Sequence, residues 1–147
     1  MPTFQTKVYA GTRSIPQPDN GTVPATVVDV DFPTAALLVN DLILLSPLPI
    51  GVGLQDYEFH FPDIDSNAAP LFAFSFGVMN AGLTDLATVF AAGVTAGQSN
   101  AIARNANADA AQFATTAVRV LGIKVTAAAA TYAGAGKVGQ VVLRLRG

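Results

Sequence analysis

From Ala25 onward the chain repeats one arrangement: apolar residues two positions apart, interrupted by short runs of Gly, Pro, Asn and Asp. Period two places alternate side chains on opposite faces of an extended backbone, the pattern of a half-buried β-strand. In ATVVDVDF, Ala25 to Phe32, Val28 and Val30 share one face, while Val27, Asp29 and Asp31 take the other. LQDYEFHF sets Tyr57, Phe59 and Phe61 against Asp56, Glu58 and His60, and PLFAFSFGVM sets Phe72, Phe74, Phe76 and Val78 against Ala73, Ser75 and Gly77. Leu42 to Leu45 are apolar on both parities, as in a strand covered on both sides, and Pro47 and Pro49 are expected to end it. AVRVLGIKVTA and QVVLRLR supply two more strands. The two aromatic-faced strands, joined by PDIDSNAAP, are expected to form a hairpin packed into the core.

Two stretches depart from this rhythm. Leu83, Leu86, Val89 and Phe90 fall at helical spacing with Thr84 as a cap, which predicts a short helix over about Thr84 to Ala92, limited by Gly93 and Gly97. SNAIARNANADAAQF is rich in Asn and Ala and reads as a loop with one short strand; Ala127 to Ala130 read as a strand end or loop. Ahead of Ala25, a short strand at Phe4 to Tyr9 precedes Pro16, Pro18 and Pro24, which frame Asn20-Gly21. Residues 1–24 therefore form an N-terminal arm with a Pro-rich loop, and residues 25–147 one domain. Seven to nine short strands with turns between them make an all-β fold, an antiparallel β-sandwich of jelly-roll type with one short helix.

Composition narrows the function. Charged residues make up 12% of the 147, against about a quarter in ordinary soluble proteins, while hydrophobic residues make up 51%. So few charges imply that part of the exterior is covered by a partner or by copies of the same chain. The net charge of −2 and the lack of any basic block argue against binding nucleic-acid phosphates. AALLVNDLILLSPLPIGVGL is interrupted by Asn40, Asp41 and prolines and is no membrane span, and MPTFQTKVYAGTR lacks the apolar core of a secretory signal. Without that signal, the glycosylation-like Asn20-Gly21-Thr22 is discounted.

Candidate chemistry is sparse. GAGKVG, Gly134 to Gly139, matches the Gly-x-Gly-x-x-Gly fingerprint of dinucleotide-binding loops. That fingerprint needs a helix behind it and an acidic residue about 20 positions on. Here an alternating strand comes next and no acidic residue lies beyond Asp109, so the segment reads as a turn between strands. Cysteine is absent and His60 is the single histidine, which leaves no thiolate or multi-histidine metal site. Asp63-Ile64-Asp65 has Ala68 and Phe74 where a calcium loop needs Gly and Glu, so it reads as a turn whose aspartates cap backbone N–H groups. No catalytic, cofactor or metal site and no small-molecule substrate is expected.

NDLILLSPLPIGVGLQDYEFHFPDIDSNAAPLFAFSFGV, VFAAGVTAGQSNAIAR and VTAAAATYAGAGKVGQVVLRLR, in that order across Asn40 to Arg146, resemble a pattern of small tailed-phage virion proteins of the head decoration (capsid cement) or head fibre type. The resemblance implies a jelly-roll sandwich, often trimeric, made in the bacterial host cytoplasm. It further implies a protein that binds the major capsid protein on the outside of the phage head and stabilises it through many weak contacts. A tail or head–tail junction protein and a carbohydrate-binding receptor module are the alternatives. The Pro-rich arm is the expected point of attachment, with Lys7, Tyr9, Arg13 and Ile15 as contact residues; deletion of residues 1–20 is then expected to abolish binding and leave the domain folded.

Overall fold

The computed structural model describes residues 2–11, 25–105 and 117–146. They contain nine strands: β1 (Thr3–Gln5), β2 (Ala25–Asp31), β3 (Leu42–Leu48), β4 (Gly53–Phe61), β5 (Ala73–Met79), β6 (Leu86–Val94), β7 (Ala101–Asn105), β8 (Arg119–Ala127) and β9 (Val138–Arg146). One sheet has the order β2-β9-β4-β7, the other β1-β3-β8-β5-β6. Every pairing is antiparallel except β1 with β3. With β1 set aside, four strands face four. Only the β5–β6 connection stays within a sheet, and the others cross the sandwich. This is the jelly-roll winding, and β1 adds a short parallel fifth strand to one edge.

The alternating positions form the core between the sheets. Val28, Val30, Tyr57, Phe59, Phe61, Val141, Leu143 and Leu145 from one sheet meet Ile43, Leu45, Phe74, Phe76, Val78, Leu121, Ile123 and Val125 from the other. The rings interlock: Phe59 lies edge-on to Phe74 at 5.0 Å, Tyr57 sits 4.6 Å from Phe76, and Phe32 meets Phe61 at 5.3 Å and 90°. Aromatic pairs prefer such edge and tilted contacts because the ring edge is positive and the face negative. The two aromatic strands are therefore opposed and not paired. The expected hairpin is corrected to a crossover: PDIDSNAAP carries the chain from one sheet to the other, since aromatic faces on both strands bury best when they look at each other.

Two bulges adjust the parity. β3 shifts register between Leu44 and Ser46, which lets Ile43 and Leu45 point inward and then Leu48 as well. β4 shifts between Leu54 and Asp56, bringing both Leu54 and Tyr57 into the core. β3 also runs through Pro47, beyond its expected end; β1 covers only Leu42 to Leu44, so past that point one side of β3 needs no N–H donor. Leu42 and Leu44 are buried on the opposite face too, in a second small cluster with Met79 that Tyr9, Leu83, Leu86 and Val120 partly cover.

The expected helix over Thr84 to Ala92 is absent, and β6 occupies that stretch. β6 is an edge strand whose pairing with β5 shifts register at three places. Bulges break strict alternation, so Phe90 and Ala91 are buried side by side while Ala92 and Gly93 are both exposed, and the stretch loses its period of two. Ahead of it, the Asn80 side chain accepts the backbone N–H of Thr84 at 2.9 Å, a turn in place of the helix cap.

The described N-terminal residues pack onto the sandwich. Val8 belongs to the main core, and Thr6 is buried with its hydroxyl donating to the Leu45 carbonyl. Residues 12–24, with most of the Pro-rich loop, lie outside the described residues.

Candidate interaction surfaces

Strand directions gather four connectors at one end of the sandwich: residues 32–41, 62–72, 95–100 and 128–137. Asp65 ties two of them, 62–72 and 128–137. It is 1% exposed and pairs with Tyr132 in an isolated bridge. Its Oδ2 accepts N–H groups from Leu71 at 2.7 Å, Ala130 at 2.9 Å and Phe72 at 3.1 Å, and its Oδ1 accepts Thr131 at 2.9 Å. Burial by itself pushes this carboxyl up, but the N–H groups of Thr131, Ala130, Leu71 and Phe72 together hold it down at about 2. Asp63 accepts the Asp65 N–H at 3.1 Å, and Asn67 accepts the Ala69 N–H at 2.9 Å, side-chain turns two residues apart. The expected capping role of Asp63-Ile64-Asp65 is what the structure contains.

Further bonds lock the same end. Tyr132 donates its hydroxyl to the Pro33 carbonyl at 2.6 Å, Gln98 donates to the Phe72 carbonyl at 2.8 Å, and the N–H groups of Ile64 and Ala133 bond to the carbonyls of Gly97 and Ile64 at 2.9 and 2.8 Å. GAGKVG lies here as a turn entering β9, with the Lys137 N–H on the Gly134 carbonyl at 2.9 Å. Its glycines have structural work: Gly136 takes a φ of 73°, and a Cβ on Gly139 would come 2.6 Å from the Phe61 ring. The Lys137 ammonium donates to the Asp63 carbonyl. The turn opens into a strand, as the alternation required, so the phosphate-cradling geometry of a helix N-terminus is not built.

The second polar constellation lies on the outer face of the four-stranded sheet. Register sets Asp56 opposite Arg144 and Glu58 opposite Arg104. Arg144 reaches Asp56 at 3.1 Å and Glu58 at 2.8 Å, Arg104 reaches Asp56 at 2.8 Å, and His60 Nε2 meets Glu58 at 2.9 Å. The His60 hydrogen bond, then Arg144, holds the Glu58 carboxyl below its ordinary range. The Tyr57 phenol points into the core instead, and burial, aided by Asp56, pushes it up to about 12. Two guanidinium groups on two carboxylates form a cross-strand brace rather than an acid–base pair poised for proton transfer. Beside it, His60, Pro62, Asn100, Ile102, Val138 and Gln140 line a shallow groove of about 360 Å³.

Two of the expected contact residues, Lys7 and Tyr9, fall within the described residues. Lys7 is exposed and lies 3.8 Å from Asp31, a loose surface pair. Tyr9 packs on the outer Leu42–Leu44–Met79 cluster, its N–H on the Thr6 hydroxyl at 3.2 Å. Arg13 and Ile15 lie outside the described residues. Among the described residues no group of three or more His, Cys, Asp and Glu is arranged to hold a metal ion.

This fold has counterparts in phage capsids. Over 99% of both chains, this protein superposes on a chain in the capsid of Ralstonia phage GP4, with a TM-score of 0.86 and 29% identity. It also matches a chain in the capsid asymmetric unit of cyanophage Pam1 over 92% of each, with a TM-score of 0.61 and 22% identity, a likeness of fold. No protein-family model matches the sequence, and no curated protein matches it.

Proposed function

We propose that this protein is a non-enzymatic structural component of a phage virion, a decoration (cement) protein that binds the outer face of the head and stabilises the shell. The observation that carries the reading is the end-to-end match, at 29% identity, to a chain of the GP4 capsid. Two physical features support the decoration role in particular. The sandwich closes its own core, with the largest aromatic side chains fully buried inside one chain, so the protein folds before it attaches. Its polar groups are spent on bracing, in the Asp65 knot and the Asp56–Glu58–Arg104–Arg144 cluster, as befits a part whose use is shape.

Repetition supplies the strength of such a part. Each copy needs only modest affinity when a lattice presents many equivalent sites and one copy restrains more than one shell subunit. Trimerisation, binding to the major capsid protein and exterior placement belong to this proposal. Purified protein added to undecorated shells is expected to raise their disruption temperature; no shift at saturating protein refutes the role.

A further inference from the structure

We infer that the connector end of the sandwich is the surface that docks, and that it docks on a largely uncharged, apolar surface of the shell subunit; this rests on the decoration reading above. The four connectors carry only four charged side chains, Asp41, Asp63, Asp65 and Lys137. Asp41 and Asp65 are each 1% exposed, and Lys137 is tied to the backbone of Asp63. The large apolar side chains this end presents to solvent are Leu38, Val39 and Leu71, at 59, 50 and 60% exposure, with Ala, Thr, Ser and Asn around them, while Asp63 and Lys137 are partly exposed and Asp31 stands at the edge.

These side chains stand on connectors whose backbones are bonded to a shared frame. The Asn40 N–H meets the Val125 carbonyl at 2.8 Å, beside Leu38 and Val39. Leu71 and Ala130 donate to the same oxygen of Asp65. β8 lies between β3 and β5, so Leu38–Val39 and Leu71 flank the alanine connector that leaves β8. Exposed leucines on a hydrogen-bonded frame lose little entropy on binding, the condition for tight association over a small area.

Charge selects the occupant. A strongly charged partner surface pressed onto this end would lose its water and find few counter-charges, so the complementary surface is largely uncharged. On the decoration reading the shell subunit is that partner.

The test is co-sedimentation of the purified protein with undecorated shells, at low and at molar salt. Leu38→Asp/Leu71→Asp is expected to weaken binding at least about tenfold, the scale of losing central contacts, with Leu71→Ser as a milder variant. Ile50→Asp/Val118→Asp, at the opposite end and equally exposed, is expected to bind as the parent does. Parent affinity should change less than about threefold with salt, since few ion pairs are formed. Melting curves of the free variants check that each is folded. Parent-like binding by the Leu38/Leu71 and Leu71→Ser variants, a steep fall with salt, or loss of self-association in place of shell binding overturns the inference and leaves the decoration role standing. Parent protein that does not bind shells at all overturns both.

Discussion

Replacing Asp65 by asparagine keeps the size of the side chain and removes the charge that joins two connectors, 62–72 and 128–137. Four short backbone N–H bonds converge on this carboxylate, three on Oδ2 and one on Oδ1. Asparagine turned to keep its oxygen at the Oδ2 position retains three of them in weaker, neutral form and sets its NH₂ against the Thr131 N–H. Bonds to a charged acceptor are worth about 1.5–3 kcal/mol each and neutral ones about 1. One lost bond, three weakened ones and a buried donor facing a donor add to a loss of at least about 4 kcal/mol. That is a large share of the roughly 5–15 kcal/mol that holds a domain folded. The chain has no Trp, so unfolding is monitored in urea by far-ultraviolet circular dichroism. The effect must also depend on pH. The folded carboxyl stands at about 2 against an ordinary 3.8, so its stabilisation is complete above about pH 4 and disappears as pH falls toward 2. Parent and Asp65→Asn curves should therefore differ most at neutral pH and converge on acidification. Equal stability at pH 7, or a difference that does not shrink between pH 5 and pH 2, refutes the reasoning.

The packing sets three further outcomes. Phe59→Ala and Phe74→Ala should each cost about 3–5 kcal/mol, and the double variant should reveal a coupling of about 0.5–1.5 kcal/mol by urea titration, because the rings touch across the sandwich. Arg144→Ala should cost about 1–3 kcal/mol by thermal melts, since it strips one guanidinium from both Asp56 and Glu58. Deletion of residues 1–11 should lower the melting temperature and promote aggregation in light scattering, because it removes Val8 from the core and bares the edge of β3; an unchanged melt would show that the segment is a free arm.

Much of this fold is legible in the alternation. Period two assigns Val28 and Val30, Tyr57, Phe59 and Phe61, and Val141, Leu143 and Leu145 to shared faces, and all are buried. The capping role of Asp63 and Asp65 is readable too, because an aspartate two residues from another on a turn has nearby N–H groups to accept. Alternation does not record partners, however. Tyr57, Phe59 and Phe61 face one way whether Phe74 lies beside them or across the core, so the hairpin and the crossover look alike in sequence. Bulges hide β6, where the adjacent Phe90 and Ala91 are both buried. The Asp65 cradle draws on Leu71, Phe72, Ala130 and Thr131, two of them about 65 residues away, and such convergence leaves no local signal. The charge-poor connector end is present in the composition, but only the strand directions bring its four segments together.

A cryo-electron microscopy map of the whole virion tests the central claim most directly. The account predicts density for this sandwich on the outside of the head, with Leu38, Val39 and Leu71 turned toward the shell. Density confined to the tail, or a head whose outer surface carries no such sandwich, contradicts it.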